Sequence, residues 1–533
     1  MLNLFKNKRF IIILIIGLSY SIMEFYIANH ANGRHRALFT LEMSVIPLIL
    51  FNLGRAFSAV FNTIFVLSLV FCWYIVYSCQ YITDTNLDAI VGTNPHEALS
   101  MLETVPWFFY IVAAMLVIAV ASVSWFLGKY NYRAMLIGLI PFVASLSYAG
   151  WKVYKVWPHY KLSWDEPATI GFFATQIRQQ APGIIGMDTY MGLIYFINTY
   201  TNTQFPVIPH AKTDPSVIKK HTGRVHNIIF IMGESSFAPR YSVYGYNKQK
   251  TTPYLLESQE KNQICVIEKA HSNANTTHYS VPMTFSFQTP DNSSNLLSEK
   301  NIIEMARDNG YKTFWIASQD GSGAYSRPFG YISEYSNYVT RQDYNNKYNG
   351  VNWKDESILP VLKEKFTDAA PYKMYVLHIE GSHMSYDDKY TKEDTQSLPN
   401  AEKYDLSIHH TDRLIQKIMS MASDTLGEYT LIYTSDHGEV VNKGHGLQFG
   451  GLDQYNIPMI IHDGNGNGYY CHMAESLRND NGYYTSIMNK YLLLDMLGYD
   501  TNPQFIQKSK SIDTVLHSDS KMYNYNNIPT QNK

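Results

Sequence analysis

Long apolar runs separated by short polar turns dominate roughly the first 160 residues of the chain. A helix that spans a membrane needs about 20 mostly apolar residues. Five runs approach this length, at residues 10–27, 37–53, 57–77, 105–127 and 134–153. The third and fourth fit best, whereas the second contains Glu42 and Pro47, so whether it crosses stays open. The pattern predicts an N-terminal helical transmembrane bundle with five spans, residues 1–153.

The basic residues in the short loops indicate the orientation of this bundle, because Lys and Arg accumulate on the cytoplasmic side. Lys6, Lys8 and Arg9 precede the first run, and Lys129 and Arg133 precede the fifth. The loop at 80–104 contains no Lys or Arg. We therefore expect the N-terminus inside and, with an odd number of spans, everything after residue 153 outside the cytoplasm. If the second run does not cross the membrane, the number of spans is even and the residues after 153 lie on the cytoplasmic side instead.

Beyond residue 222, short apolar runs alternate with segments of helical periodicity. Buried strands are predicted at 225–232, 313–317, 373–379, 429–434 and 456–461, and helices at 302–309 and 404–422. Such alternation is typical of an α/β domain with a mostly parallel sheet. We expect this domain at 223–505, after a linker with interfacial helices at 154–222. Residues 506–533 are rich in Asn, Ser and Lys, which predicts a loosely ordered tail.

Composition narrows the class of protein. The chain has 43 Lys and Arg against 45 Asp and Glu, a net charge of -2, which argues against nucleic acid as a partner. Charged residues make up 17%, below the roughly 25% of a typical soluble domain, as expected for a membrane protein. The four cysteines show no zinc-finger spacing. Whether Cys265 and Cys471 pair stays open.

Carboxylates and imidazoles recur directly after the predicted strands. In a parallel sheet, ligands bind beyond the carboxyl ends of the strands. Glu234 follows the first strand, His383 the third, and Asp436 with His437 the fourth. One Asp-His-Gly sequence alone is typical of an ordinary turn. Its recurrence with other ligand types at several strand ends favours a catalytic zinc site, because zinc accepts Asp, Glu and His ligands.

Several short blocks resemble, in order, the signatures of bacterial phosphoethanolamine transferases. The blocks are Gly233-Glu234-Ser235-Ser236, Thr277 with Ser280-Val281-Pro282, Gly381-Ser382-His383, Ser435-Asp436-His437-Gly438-Glu439 and His445-Gly446. Their shared order carries the resemblance, which covers roughly the whole chain. The family has five N-terminal spans before an alkaline-phosphatase/sulfatase-like α/β/α domain, so the resemblance implies the same architecture here.

The resemblance implies a zinc-dependent transferase. The ligands of the catalytic zinc ion would be Glu234, Thr277, Asp436 and His437, with Thr277 as the nucleophile. Metal coordination would lower the pKa of the threonine hydroxyl and generate the alkoxide. One zinc ion is expected, and whether a second is bound stays open. The alternative for Thr277 is an ordinary buried or turn hydroxyl.

Other positions are implied to contact the substrates. His383 and His445 would lie around the transferred phosphoryl group as proton donors or charge stabilisers, unless they are ordinary core or loop histidines. Gln319 would hold the phosphoryl group, or is a loop amide. Asn94 and Glu97 resemble a segment that helps to receive the donor head group, although Asn94 before Pro95 equally fits a helix N-cap.

The sequence departs from the family at some positions. Phe237 stands where the family often has Arg, and a lysine is replaced near Gly323. Lipid A-modifying members typically flank the nucleophile with disulfide cysteines, and the corresponding residues here are Asn273 and Met283. These departures concern the acceptor and the phosphate contacts more than the metal site.

The implied function is transfer of phosphoethanolamine from phosphatidylethanolamine to lipopolysaccharide through a covalent phospho-threonine-type intermediate. The acceptor, a core sugar or lipid A, stays open. We expect a monomeric, multi-pass protein of the bacterial inner membrane with its catalytic domain in the periplasm. The alternatives are a phosphoglycerol transferase, a sulfatase-like phosphodiester hydrolase, and a non-catalytic membrane-tethered protein that binds glycans.

Overall fold

The computed structural model describes residues 8–31, 46–79, 102, 105–156, 207, 209–292, 294–321, 327–342, 354–447, 449–464, 466–518 and 521–530. The chain forms two compact units, one of Met1–Val91 with Pro95–Gln204, the other of Gly92–Asn94 with Phe205–Lys533. The predicted donor contacts Asn94 and Glu97 lie outside the described residues, as do the expected interfacial helices at 170–177.

The first unit is helical where it is described. Its long helices are α1 (Lys8–Ala31), α2 (Arg55–Cys79), α3 (Trp107–Leu127) and α4 (Tyr132–Val156). They coincide with the first, third, fourth and fifth apolar runs, and residues 46–50 of the second run are also helical. Within the described ranges, α3 alone is long and apolar enough to cross a membrane, and Arg55–Val70 is a shorter apolar stretch. A bundle of five spans is therefore not confirmed.

The second unit is an α/β domain. Its strands are β1 (Val217–Lys220), β2 (Asn227–Gly233), β3 (Cys265–Val266), β4 (Ala270–His271), β5 (Lys312–Ala317), β6 (Tyr338–Thr340), β7 (Lys373–His378), β8 (Thr430–Ser435), β9 (Met459–His462), β10 (Tyr484–Thr485), β11 (Tyr499–Thr501), β12 (Thr514–Leu516) and β13 (Met522–Asn524). Its helices are α5 (Pro253–Glu260), α6 (Thr277–Phe285), α7 (Ile302–Asp308), α8 (Arg327–Ser333), α9 (Ile358–Phe366), α10 (Lys392–Ser397), α11 (Lys403–Leu426), α12 (Tyr469–Ser476), α13 (Asn489–Met496) and α14 (Pro503–Lys510).

The central sheet has the strand order β3-β9-β8-β2-β7-β5-β6. Every residue of β2 is buried, because helices cover both faces of the sheet. Alternate side chains therefore enter separate cores: Phe230 packs in one cluster with residues of α6, α7 and α13, and Ile231 in the other with residues of α9 and α11. This continuous burial explains why the strands appear in the sequence as uninterrupted apolar runs.

The five strands and two helices predicted for this domain are present, with bounds shifted by a few residues. The pairs among β8, β2, β7, β5 and β6 are parallel, but β9 runs antiparallel to both β8 and β3. The sheet is therefore mixed. Between β8 and β9 the chain forms loops at the carboxyl end of β8 and turns back, so β9 enters the sheet from that end.

Both predicted borders of this domain need correction. Strand β1 lies inside the expected linker but pairs with β11, with Val217 opposite Thr501. The expected loose tail forms α14 and the antiparallel hairpin β12–β13. Its apolar residues Val515, Tyr525 and Ile528 are buried against Tyr455, which gives this polar segment a core of its own.

Candidate active site

Neighbouring parallel strands bring the predicted ligands to one edge of the sheet. Glu234 directly follows β2, and Asp436 directly follows β8. Gly233 and Ser435, the last residues of these strands, are paired in register, so the side chains that follow them emerge side by side. β7 pairs with the other edge of β2, and His383 stands five residues beyond its end.

Two glycines allow the loops beyond the strands to pack closely. Gly381 has a φ of +51°, and a Cβ at this position would lie 2.8 Å from the backbone oxygen of Glu234. At Gly438, next to His437, a Cβ would lie 2.2 Å from the carbonyl oxygen of Asp453. A side chain at residue 381 would clash with the backbone of Glu234, and one at residue 438 would clash with the backbone of Asp453. Both positions therefore require glycine.

Thr277 is the first residue of α6 and meets both strand ends. Its hydroxyl lies 3.0 Å from Glu234 Oε2 and 3.3 Å from His437 Nε2. The residue before it, Thr276, is extended, so the helix N-terminus with its partial positive charge lies at Thr277. The predicted zinc ligands are all buried: Glu234, Thr277, Asp436 and His437. The structure thus brings these four groups together.

The charges of these groups are strongly coupled. His437 Nε2 lies 3.0 Å from Glu234 Oε1 and 3.2 Å from Asp436 Oδ2. Burial opposes protonation, but the two carboxylates outweigh it and raise the pKa of His437 to about 10. Burial likewise opposes ionisation of Glu234, yet His437 and two further imidazoles hold the pKa of this carboxyl well below its usual range. Burial and the Glu234 charge raise the pKa of Asp436 well above its usual range.

The arrangement fits a divalent cation. His437 Nδ1 lies 2.9 Å from the carbonyl oxygen of Gly438 and donates to it, so Nε2 is the ring atom directed at the carboxylate oxygens. Asp436 Oδ2 is buried, with no hydrogen-bond partner among the residues that the structure describes. In the metal-free protein the proton on His437 offsets the charge of the carboxylates, and a divalent cation bound between these groups would replace that proton. Glu234, Asp436, His437 and the Thr277 hydroxyl supply the nitrogen and oxygen ligands that suit zinc.

Glu234 also belongs to a second group, with His383 and His445, whose ligand atoms lie within 4.8 Å of one another. The centroids of the two imidazole rings are 5.4 Å apart. Burial lowers the pKa of His383 to about 4 and that of His445 to about 3, so both rings are neutral at pH 7. Neutral imidazole is the form that binds a metal or accepts a proton.

Bonds at Nδ1 orient these two rings. His383 Nδ1 lies 2.7 Å from the carbonyl oxygen of Met384, and His445 Nδ1 lies 3.0 Å from Glu439 Oε2. Glu439 is fully buried, burial raises its pKa to about 8, and its other oxygen accepts from the Tyr386 hydroxyl. With Nδ1 engaged, Nε2 is the ligand atom of each ring, and the Glu439 carboxyl group behind His445 fixes the direction of that ring.

Gln319 joins the site as well. Its side-chain amide donates to Glu234 Oε2 at 3.0 Å and to the carbonyl oxygen of Ile379 at 3.1 Å. The amide therefore holds the shared carboxylate from the side of β5, which Gln319 follows by two residues. The sequence suggested a phosphoryl contact for this residue, whereas its partners here are protein groups.

Two residues of the site received no role from the sequence. Ser235 Oγ donates to Glu234 Oε1 at 3.1 Å and lies 3.3 Å from His445 Nδ1. Its φ of +54° is uncommon for a residue other than glycine. Glu439, described above, is the second. The only available signal was their position, one residue after Glu234 and two after His437.

Comparisons with known proteins agree with the resemblance to phosphoethanolamine transferases, which is thereby confirmed. A sequence model of the family described as Sulfatase matches residues 226–499. The Escherichia coli protein YhbX is 27% identical over 314 residues, 57% of this chain and 54% of its own, so the chain spans about half the length of that relative. Phosphoethanolamine transferase EptC of Escherichia coli is 25% identical over 454 residues, 78% of this chain and 75% of its own.

Solved structures share the fold. The integral membrane protein lipooligosaccharide phosphoethanolamine transferase A (EptA) from Neisseria meningitidis matches 91% of this chain and 95% of its own, with a TM-score of 0.59 and 16% identity. The C-terminal periplasmic domain of EcEptC from Escherichia coli, in complex with Zn, matches 60% of this chain and 98% of its own, with a TM-score of 0.50 and 20% identity. At these identities the likeness establishes the fold.

Proposed function

Because the chain belongs to the sulfatase family and phosphoethanolamine transferases are among its relatives, we propose that it transfers phosphoethanolamine from phosphatidylethanolamine to lipopolysaccharide. The observation that carries the proposal is the position of the Thr277 hydroxyl, 3.0 Å from Glu234 and 3.3 Å from His437. A buried alcohol beside an anionic ligand set is suited to nucleophilic attack on a phosphodiester.

The proposed resident metal is zinc, held by Glu234, Thr277, Asp436 and His437. When bound, it lowers the pKa of the threonine hydroxyl and withdraws charge from the phosphoryl oxygens. The chain's own groups set the geometry around it: Glu234 accepts a hydrogen bond from Thr277, and the N-terminus of α6 favours negative charge at the nucleophile. Glu234 with His383 and His445 is the proposed site of a second ion.

The reaction has two displacements. First, Thr277 Oγ1 bonds to the phosphorus of phosphatidylethanolamine, and the bond from phosphorus to the diacylglycerol oxygen breaks. Diacylglycerol leaves with the proton that the Thr277 hydroxyl gives up, and phosphoethanolamine remains on Thr277. Second, an acceptor oxygen attacks the same phosphorus, and the Thr277 hydroxyl is restored. His383 and His445, neutral at pH 7, accept the proton of the attacking acceptor hydroxyl, and this proton is returned to the departing Thr277 oxygen.

The remaining predicted contacts fit this scheme as proposals. Gln319 holds Glu234 and is proposed to hold the phosphoryl group as well. Asn94 and Glu97 receive the ethanolamine head group, since a carboxylate attracts its ammonium. The acceptor is a hydroxyl or phosphate of lipopolysaccharide, on a core sugar or on lipid A, and the enzyme acts as a monomer.

The proposed location is the bacterial inner membrane, with the catalytic domain in the periplasm. α3 is long and apolar enough to cross a membrane, and the first unit is proposed as a multi-pass anchor. Cys265 and Cys471 form a disulfide that joins β3 to α12. Disulfides persist in oxidising compartments such as the periplasm and are rare in the cytosol, which supports this side of the membrane.

The test uses the purified full-length chain with phosphatidylethanolamine labelled in its head group and lipopolysaccharide as acceptor. We expect label on Thr277 after a short incubation without acceptor, and on lipopolysaccharide once acceptor is added. Thr277→Ala should abolish both, and Thr277→Ser, which keeps a hydroxyl, should retain part. Full transfer by Thr277→Ala would refute the proposal. Label from phosphatidylglycerol on Thr277 would identify a phosphoglycerol transferase, and release of label to water a hydrolase.

A further inference from the structure

A segment near the C-terminus, residues 513–518, is hydrogen-bonded to the loop that precedes Thr277. We name residues 513–518 the C-terminal clamp and residues 270–276 the nucleophile loop. We propose that the C-terminal clamp positions Thr277 for attack, with Asn273 and His517 as its positioning residues. The inference rests on the proposed function, because it assigns the clamp a role in the reaction of Thr277. Among the residues that the structure describes, neither side chain is hydrogen-bonded to Glu234, Asp436 or His437, so both would act through the loop.

Asn273 connects the nucleophile loop to two separate parts of the domain. Its side-chain oxygen accepts from the backbone N–H of Ile487 at 3.1 Å, and its side-chain nitrogen donates to the carbonyl oxygen of Thr514 at 3.1 Å. Its own carbonyl oxygen accepts from the N–H of Leu516 at 2.7 Å. Asn273 is fully buried. Four residues before the nucleophile, the loop is therefore held by the clamp through backbone and side chain.

His517 holds the same loop closer to the nucleophile. Its Nδ1 lies 2.6 Å from the Tyr455 hydroxyl and 3.3 Å from the side-chain nitrogen of Asn275. The Asn275 nitrogen can only donate, so Nδ1 acts as an acceptor and the ring proton is on Nε2. The imidazole of His517 is fully buried. It joins the nucleophile loop to the segment that follows the Asp436-His437 doublet.

The opposite side of the loop is fixed to the doublet itself. Ser272 Oγ donates to the carbonyl oxygen of Asp436 at 2.5 Å, and the N–H of Ser272 donates to the carbonyl oxygen of Tyr455 at 2.8 Å. The distance from Thr277 to His437 thus depends on a loop held from both sides. A displacement of about 1 Å can cost roughly a hundredfold in rate, so the clamp bears directly on turnover.

The test compares Asn273→Ala with Asn301→Ala in the full-length protein. Asn301 is a matched control because it is also fully buried and its side-chain oxygen accepts a backbone bond, from Glu304 N at 3.0 Å, at the start of α7. We expect both variants to melt at similarly lowered temperatures. Only Asn273→Ala should lower kcat, by about tenfold or more with KM little changed. Equal kcat in the two variants would overturn the proposal.

Two further variants separate the contacts. Asn273→Asp keeps the oxygen that accepts from Ile487 but puts an acceptor against the Thr514 carbonyl oxygen in a buried site, so we expect kcat to fall at least as far as in Asn273→Ala. His517→Phe keeps an aromatic ring of similar size without the acceptor, and should lower the rate at which Thr277 is labelled by the donor. If Asn273→Asp and His517→Phe both kept wild-type rates, the contacts to the clamp would have no role in positioning.

Amide hydrogen exchange over 270–280 distinguishes failure of this inference from failure of the proposed function. We expect faster exchange there in Asn273→Ala and His517→Phe, and unchanged exchange in Asn301→Ala. This readout needs no turnover. An inactive wild-type protein would refute the proposed function while exchange still tests the clamp. An active wild-type protein whose 270–280 segment exchanges at the same rate in all variants would refute the clamp alone.

Discussion

The two ligand groups share Glu234 but differ in charge and exposure. The first group adds a carboxylate and a single imidazole, Asp436 and His437, both fully buried. The second group adds two imidazoles, His383 and His445, and the side chain of His445 is 16% exposed. Without metal, the first group retains a proton on His437, whereas both histidines of the second are neutral at pH 7.

This difference indicates that the two ligand groups have different roles, one in metal binding and the other in contacts with the substrate. A buried pair of carboxylates needs a compensating cation, since uncompensated buried charge is costly. The first group is therefore suited to permanent metal binding, next to Thr277, the proposed nucleophile. The neutral, more accessible imidazoles of the second group are suited to contacts that form and break with the substrate.

Removal of the shared ligand should have the largest effect. In Glu234→Gln both groups lose their common carboxylate, so we expect zinc content close to zero and a rate lowered by about a thousandfold or more. Elemental analysis and the labelled transfer assay measure the two effects. Glu257→Gln, an exposed carboxylate paired with Lys261, is the control. Stoichiometric zinc in Glu234→Gln would contradict the shared site.

Single ligands of the two groups should then differ. Asp436→Asn should abolish labelling of Thr277, because the nucleophile loses its activating metal. His445→Ala should lower the overall rate by only about ten- to a hundredfold and retain one zinc ion, in the range seen when secondary metal contacts are removed. If Asp436→Asn and His445→Ala lost zinc and rate equally, the two ligand groups would not have different roles.

The pH dependence of zinc binding should distinguish the two ligand groups while both can still bind zinc. The metal-free protein holds a proton on His437 up to the pKa of about 10, and zinc must displace this proton. Affinity at the first group should therefore rise by about tenfold per pH unit between roughly pH 6 and 9. The second group, with pKa values of about 3 and 4, should bind independently of pH there. Chelator competition with wild type and Asp436→Asn tests both slopes.

The smallest effect on the rate is expected from a change at Glu439, which contacts Nδ1 of His445. Glu439→Gln keeps the size of the side chain and its contact with Tyr386 but weakens the acceptor for His445 Nδ1. We expect a loss of about tenfold in rate, with zinc at the first group unchanged. His445→Ala combined with Glu439→Gln should be no slower than His445→Ala alone, because Glu439 acts through that ring. Additive losses would assign Glu439 a separate role.

The sequence predicted the parts of the site that follow from strand periodicity. Glu234, Asp436 and His437 were found because each directly follows a buried apolar run, and parallel strands end at one edge. Thr277 and His445 were identified through the family resemblance, whereas His383 was found after the third predicted strand and received its role from the resemblance. The structure brings all six together, with Gln319 beside them.

Other features depend on contacts that leave little trace in local sequence. The direction of β9 is set by the loops before it, and an apolar run of that length carries no sign of direction. The tail appeared polar, and its three buried residues, Val515, Tyr525 and Ile528, pack around Tyr455 from elsewhere in the domain. The Cys265–Cys471 bond joins residues 206 positions apart, beyond the reach of any spacing rule.

That bond also simplifies folding. The other two cysteines of the chain, Cys72 and Cys79, belong to the N-terminal apolar segment. Oxidation within the catalytic domain thus has a single product, and scrambled isomers cannot arise there. Because Cys471 is synthesised 206 residues after Cys265, the Cys265 thiol on the edge strand β3 stays reduced until nearly the entire domain has been synthesised. The protein should mature with an oxidant alone, independently of a disulfide isomerase.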